Sequence, residues 1–168
     1  TELLANKHPE LKQAVLNCLN AGKIVVASIG NAHITNPDAP FFPASYNKEF
    51  PDKSGILAIG AFNEDGLLCD FSNHSTHLRC LAPGDSILTA KPGNDAEKDT
   101  GSSIATAFTA GCLALLVSYS KMNNKNIENC LPAILNSCDD IGTAIGFDNG
   151  TGYGRINLRN AISKIKSA

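Results

Sequence analysis

Two kinds of hydrophobic pattern follow one another in the first third of the chain. In residues 10–21 the apolar residues recur with helical spacing, which predicts a helix with one buried face. Two continuous apolar runs come next, KIVVASIGN and SGILAIGAF. A run without polar interruption is typical of a strand covered on both faces, as in a parallel sheet. A helix that leads tightly into such a strand is half of a parallel α/β unit.

The rest of the chain continues this pattern with loops and helices. The connection 31–55 is rich in Pro, Asn and Asp, and its length predicts a long surface loop of the kind that carries function. GLLCDFSNHSTHLRCLAPGDSILTAKPG predicts short strands joined by turns. Helices are expected at 104–120, across NIENCLPAILNSCDDI, and at the end of the chain. No internal repeat or low-complexity linker divides the sequence, so we expect one α/β unit with a parallel sheet.

Composition narrows the class of protein. The 168 residues are 43% hydrophobic and 18% charged, as in an ordinary globular protein. Fourteen basic and sixteen acidic residues give a net charge of −2 without blocks of like charge, so no nucleic-acid surface is indicated. The apolar stretch 104–117 is interrupted by Thr106 and Thr109. It is too short to cross a bilayer and predicts a core helix.

Six cysteines are too few and too scattered for a disulfide scaffold. Cys18 and Cys112 stand at apolar positions of predicted helices, so we expect both thiols to be buried and inert. Two pairings, Cys69 with Cys80 and Cys130 with Cys138, are open, and the sequence does not choose between paired and free thiols.

The stretch GSSIATAFTAG places two hydroxyls, Ser102 and Ser103, at the start of the apolar helix. The first unpaired amides and the positive dipole end of that helix point toward them. Serine is a favoured helix cap, so Ser103 could serve only to cap the helix. It could equally be a nucleophile whose attack builds an oxyanion beside those amides.

This stretch resembles the nucleophile motif of subtilisin-like serine proteases (subtilases), Gly-Thr-Ser-Met-Ala-Ser-Pro-x-x-Ala-Gly. Four further segments resemble subtilase segments in the same order: VVASIGNA, FPASY with GILAIGAFNEDGLLCDFSN, LAPG, and GYGRINLRNAI. One departure is Ala107, where the family has proline, and it changes the start of the helix rather than the nucleophile. Another is the lengthened connection after Asn31, which implies an altered cleft rim.

The resemblance implies a role for five residues. Ser103 would be the nucleophile, and Asn31 would hold the oxyanion together with the backbone N–H of Ser103. Ser28, Ile29 and Gly30 would form one wall of the primary specificity pocket. The reaction implied is hydrolysis of an extended peptide through an acyl-enzyme. Calcium is common in the family, but no ligand set for it is evident here, and no cofactor is expected.

The resemblance also implies that part of the catalytic machinery lies elsewhere. Subtilases supply Asp, His and Ser in that order, with the His roughly 150 residues before the serine. Only 102 residues precede Ser103, so we expect residues 1–168 to be the C-terminal part of one subtilisin-like catalytic domain. The Asp and His would come from an N-terminal fragment or a second chain.

The four histidines, His8, His33, His74 and His77, match no family position, and a local substitute base is not expected. His74, His77 and Cys80 have ligand-like spacing, with Cys69 nearby, but zinc needs four well-placed ligands and a solvated loop is expected instead.

Two rival functions remain open. One is a non-catalytic subtilase-like scaffold that binds another protein, which the retained Ser103 and Asn31 disfavour. The other is a ligase or macrocyclase of the same fold, in which an amine replaces water in resolving the acyl-enzyme. The first residues lack an apolar signal core. A mature secreted chain would lack one as well, so the sequence does not decide the compartment. Only the family resemblance favours a secreted or extracytoplasmic one.

Overall fold

The computed structural model describes residues 9–33, 40–50 and 55–167. Within them three strands form a parallel sheet in the order β1-β2-β3, which confirms the predicted fold class. The strands are β1 (Val25–Ser28), β2 (Ile56–Phe62) and β3 (Cys80–Pro83). Because all three run in the same direction, the residues that follow β1 and β3 meet at one carboxyl edge of the sheet.

Five helices and one hairpin complete the described part. The helices are α1 (Pro9–Asn20), α2 (Tyr46–Glu49), α3 (Ser102–Met122), α4 (Cys130–Leu135) and α5 (Leu158–Ser167). A 3₁₀ turn at Ile127–Asn129 precedes α4, and strands β4 (Ile87–Lys91) and β5 (Asp95–Asp99) form an antiparallel hairpin. The predicted helix across NIENCLPAILNSCDDI is shorter than expected. Pro132 is tolerated only in a first turn, so the α-helix begins at Cys130.

The apolar run of β2 is continuous because both of its faces are covered. Leu57, Ile59 and Ala61 pack into a cluster with side chains of α3, α4 and α5. Ala58 packs on the other face, in a cluster that includes Ala27 and Ile29. Alternate residues of a strand point to opposite faces, so a strand covered on both faces is apolar throughout.

The connection before β2 departs from the predicted surface loop. Phe42 and Tyr46 are buried against Val15 and Leu19 of α1, where they form a separate apolar cluster. Aromatic side chains bury large areas, and those of this connection have α1 as their partner. The prediction of a surface loop is therefore wrong for residues 40–50, while 34–39 and 51–54 lie outside the described residues.

The cysteines follow the predictions in part. Cys112 is buried as expected, but Cys18 is exposed, because α1 packs through Val15 and Leu19 and its flank at Cys18 meets no partner among the described residues. All six thiols are free. A hydrogen bond with Cys138, together with burial, raises the pKa of Cys80 well above its ordinary value. The thiol that bonds Cys80 is therefore that of Cys138. Neither of the two pairings considered from the sequence, Cys69 with Cys80 or Cys130 with Cys138, is formed.

Helix α3 is longer than the predicted core helix. It has 21 residues and is long and apolar enough to cross a membrane by length and composition alone, a test that core helices of soluble proteins also pass. Its buried side chains recur every three or four residues and pack on the sheet. The opposite face exposes large apolar side chains at Phe108, Leu115 and Met122.

An open groove of about 770 Å³ runs along the outer side of β1. We call it the outer groove. It is lined by Leu19, Ile24 and Val26 on one side, by Ala110, Leu113, Ala114 and Val117 of α3, and by Ile127, Leu131 and Pro132. Within the described residues no strand pairs with the outer edge of β1.

The β4–β5 hairpin is connected to the rest of the protein at Gly84 and Gly101, which are hydrogen-bonded to each other. The Gly101 N–H donates to the Gly84 carbonyl over 2.7 Å, and the Gly84 N–H donates to the Phe62 carbonyl over 3.1 Å. The two ends of the hairpin are therefore joined directly to each other and to β2 just before α3 begins.

Candidate active site

Ser103 and Asn31 both lie exposed at the carboxyl edge of the sheet. Asn31 follows the end of β1, and Ser103 is the second residue of α3. The first N–H of this helix, that of Ser102, donates to the side chain of Asn31, and the Ser103 hydroxyl bonds no backbone N–H among the described residues, so it does not serve as a helix cap. Ser103 makes no side-chain hydrogen bond within the described part of the chain, and its Oγ is available for other chemistry.

The two side chains converge beside Gly101. The point that a Cβ at Gly101 would occupy lies 3.1 Å from Ser103 Oγ, 3.2 Å from Asn31 Nδ2 and 3.8 Å from the Ser103 backbone nitrogen. Any side chain at residue 101 would fill this space, so glycine leaves it open. A hydroxyl and two N–H donors thus surround one notch at the start of a helix, where the helix dipole favours negative charge.

Asn31 is held so that its nitrogen faces this notch. The Asn31 Oδ1 accepts hydrogen bonds from the backbone N–H of Ser102 over 2.8 Å and from the Ser102 hydroxyl over 2.5 Å. Only the carbonyl oxygen of a carboxamide can accept, so these bonds assign the two ends of the group. The Nδ2 donates to no group among the described residues and is left to serve a bound partner.

The turn that bears Asn31 is braced by a buried side chain from the next loop. Asn73 is 3% exposed. Its Nδ2 donates to the Ile29 carbonyl, its backbone N–H to the Gly30 carbonyl, and its Oδ1 accepts from the Ala32 N–H. These bonds lie on both sides of Asn31 and hold the backbone at that residue.

Gly30 itself is required by the close packing around it. Its φ is 101°, a region that favours glycine, and a Cβ there would lie 2.4 Å from Asn73 Nδ2 and 2.8 Å from the Phe41 ring.

Ser28, Ile29 and Gly30, the segment expected to line a specificity pocket, have three different environments. The side chain of Ile29 is fully buried in the core. Gly30 is covered by the Phe41 ring, and the Ser28 hydroxyl lies 2.6 Å from the buried Ser102 hydroxyl. The polar side chain of this segment is therefore directed toward the interior network.

Two of the three described histidines, His33 and His77, form hydrogen bonds with groups other than Ser103. The His33 Nδ1 donates to the Asp70 carbonyl. His77 is buried, and its Nδ1 bonds the side chain of Asn47 over 3.1 Å. None of the described histidines bonds Ser103. Across the described ranges no group of three or more His, Cys, Asp or Glu side chains could hold a metal ion.

Two residues of the site were not predicted from the sequence. Ser102 orients Asn31, and Asn73 braces the turn around it. The sequence places Ser102 71 residues from Asn31 and Asn73 44 residues from Ile29, so no local pattern marks either contact. A polar residue at a buried position needs hydrogen-bond partners, and this need would have indicated a structural contact. The burial of Ser102 and Asn73 could not be predicted from the sequence, so the indication was missing.

The sheet, the helix that starts at its carboxyl edge and the notch beside Gly101 define an α/β protein of the type found in serine hydrolases. The profile of the Subtilase family matches residues 4–154. The chain belongs to the subtilase family, as its motifs had indicated.

Similar proteins of known sequence agree with this assignment. The chain is 36% identical over 154 residues to the thermophilic serine proteinase of Bacillus sp. (strain AK1), covering 91% of this chain and 34% of that protein. It is 31% identical over 156 residues to thermitase of Thermoactinomyces vulgaris, covering 90% of this chain and 48% of that protein. The chain thus spans between about a third and a half of these curated relatives.

Solved structures show the same fold. The self-cleaved protease domain of PatA superposes with a TM-score of 0.80 at 27% identity, over 98% of this chain and 58% of that one. The PatG macrocyclase domain superposes with a TM-score of 0.80 at 27% identity, over 96% of this chain and 49% of that one.

Proposed function

We propose that this chain supplies the nucleophile and the oxyanion donors of a serine endopeptidase. Residues 1–168 form the C-terminal part of its catalytic domain, and the Asp and His come from an N-terminal fragment or a second chain. The observation that supports this most directly is the convergence of Ser103 Oγ, Asn31 Nδ2 and the Ser103 N–H on one notch.

In the proposed reaction Ser103 Oγ attacks the scissile carbonyl of a peptide, and its proton passes to the histidine of the companion segment. The negative charge on the carbonyl oxygen is held by Asn31 Nδ2 and the Ser103 N–H, which are in place before the charge develops. The intermediate then breaks its C–N bond. The amine leaves with the proton from histidine, and the acyl group stays on Ser103 until water hydrolyses it.

The companion segment has a surface on which to dock. The outer groove is lined by apolar side chains together with Lys23, Lys121, Asn126 and Glu128. The exposed face of α3 carries Phe108 and Leu115, and the outer edge of β1 has no partner strand among the described residues. An exposed parallel edge strand and a helix face with exposed large apolar side chains are features that proteins normally cover. We propose the segment bearing the Asp and His as their cover, because the chain spans less than two thirds of its relatives.

The proposed pocket wall at Ser28, Ile29 and Gly30 also limits the substrate. The Phe41 ring lies against Gly30, so a substrate side chain resting on this backbone shares its space with an aromatic ring. We therefore propose that the enzyme favours a small side chain on the acyl side of the scissile bond.

Labelling of the intact assembly with a fluorophosphonate tests the proposed function. We expect an adduct at Ser103, which Ser103→Ala abolishes and the exposed α5 variant Ser163→Ala leaves unchanged. Labelling should persist in His33→Ala, since the base comes from the companion segment. A folded assembly that gives no adduct would favour the rival scaffold function, and loss of labelling in His33→Ala would place the base in this chain.

A second candidate function is peptide ligation or macrocyclisation. It is supported by the similarity to the PatG macrocyclase domain. In that case the acyl group on Ser103 is transferred to a peptide amine and water is excluded. Mass spectrometry of the products distinguishes the two, because a cyclic product is lighter by one water than its linear counterpart.

A further inference from the structure

The hydroxyls of Ser28 and Ser102 form a hydrogen-bond chain that ends on Asn31. The Gly30 N–H donates to Ser28 Oγ over 3.1 Å, and Ser28 Oγ lies 2.6 Å from Ser102 Oγ. Ser102 Oγ in turn lies 2.5 Å from Asn31 Oδ1. Ser102 is fully buried, so water does not compete for its hydroxyl.

The direction of each hydrogen in this chain follows from its last member. Asn31 Oδ1 can only accept, so the single hydroxyl hydrogen of Ser102 points to Asn31. Ser102 Oγ must then accept from Ser28, and Ser28 Oγ accepts from the Gly30 N–H. Every hydrogen bond runs toward Asn31 Oδ1. This arrangement fixes the carboxamide with its Nδ2 toward the notch at Ser103.

We propose that Ser28 is a positioning residue for Asn31 and does not contact the substrate through its hydroxyl. The inference rests on the proposed function and reassigns one residue of the expected pocket wall. Without the Ser28 hydroxyl, Ser102 Oγ loses its only hydroxyl donor within the described residues. Its own hydrogen bond to Asn31 Oδ1 then weakens, because successive hydrogen bonds in a buried chain polarise and strengthen one another. The Asn31 carboxamide then rotates more freely, and the oxyanion donor is less well placed.

The test is a double-mutant cycle in the active assembly. Ser28→Ala should lower kcat about three- to tenfold with KM unchanged, the effect expected for one neutral hydrogen bond. Ser28→Thr keeps the hydroxyl and should restore kcat to within about twofold. In an Asn31→Ala background Ser28→Ala should have no further effect, because Ser28 acts only through Asn31. Equal losses in both backgrounds, or a change in KM alone, would overturn the proposal.

A readout without catalysis separates this proposal from the proposed function. In assembly labelled with ¹⁵N-asparagine, the Asn31 side-chain amide should show restricted motion in the wild type and in Ser163→Ala, and increased motion in Ser28→Ala. If the wild type gives no fluorophosphonate adduct, the proposed function fails while the amide measurement still decides the hydrogen-bond chain. An Asn31 amide equally restricted in Ser28→Ala would refute it.

Discussion

The first turn of helix α3 and its middle are stabilised in different ways. At the first turn the N–H, hydroxyl and carbonyl of Ser102 all have hydrogen-bond partners within the chain. Along the middle of the helix, one face packs on the sheet and the other leaves Phe108 and Leu115 exposed. The polar network at the site is closed by residues of this chain alone, while the apolar surface of the outer groove lacks a partner among the described residues. The geometry of the notch is therefore formed by the described residues themselves, whereas the outer groove is the surface on which the proposed companion segment would act.

Asn31→Ala should produce the largest change at the site. Loss of one oxyanion donor lowers kcat by about 10²–10³, a magnitude established for subtilisin itself. We expect a fall of that order in peptide hydrolysis, with KM little changed, because Asn31 meets the charge only in the transition state. Asn94→Ala, an exposed asparagine at the hairpin tip, is the matched control. A change of less than about threefold for Asn31→Ala would remove Asn31 from the oxyanion role.

Ala114→Lys should show whether the outer groove is covered in the assembly. Ala114 lines the groove, and a charge that the companion segment buries there should lower the free energy of unfolding of the assembly by about 3–5 kcal/mol. Chemical denaturation of the assembly measures this. Leu88→Lys on the exposed hairpin is the matched control and should have little effect. If the two variants were equally stable, the groove would be open to water in the assembly.

Phe41→Ala should change selectivity rather than rate. Removing the ring beside Gly30 opens the proposed pocket, so the ratio of kcat/KM for substrates with Phe over Ala on the acyl side should rise about tenfold or more. Phe50→Ala removes an aromatic ring that packs on Tyr46, away from Gly30, and should leave the ratio unchanged. The same rise in both variants would assign the effect to general loosening of the fold.

Alkylation of the exposed thiol of Cys18 should have the smallest effect on function, and the relative alkylation rates of Cys18 and Cys69 test how each thiol is packed. Cys18 is exposed and should react first with iodoacetamide, while labelling of Ser103 stays intact. Burial raises the pKa of Cys69 to about 11, so this thiol is protonated at pH 8 and should react only after unfolding or at strongly alkaline pH. Peptide mapping of the alkylated protein checks the order. Modification of Cys69 as fast as Cys18 would contradict the buried position of its thiol.

The parts of the fold that could be predicted are those with a local cause. The strands β1 and β2 follow from apolar runs, and α5 follows from the spacing of Ala161 and Ile165, both of which are buried. The position of Cys18 was not predictable, because its helical spacing shows an apolar residue and says nothing about whether another element covers that flank. The same limit applies to the aromatic residues of the connection 40–50, whose partner is α1.

The candidate site divides in the same way. Ser103 and Asn31 were expected from motif positions, and the structure places them beside one notch. Ser102 and Asn73 act through contacts between residues far apart in sequence, and such contacts exist only once the sheet has brought the loops together. The turn of the Ser28 hydroxyl toward Ser102 depends on that same contact and could not be read from the segment alone.

The bond between Gly101 and Gly84 has a consequence for how this protein can vary. Sixteen residues, 85–100, lie between these two glycines, and the bond between the glycines holds the chain just before Ser103 independently of the hairpin tip. The β4–β5 hairpin can therefore change in length or charge while the bond that precedes α3 is kept. The tip of the β4–β5 hairpin is therefore a position where a new binding segment can be inserted with little effect on the rest of the fold.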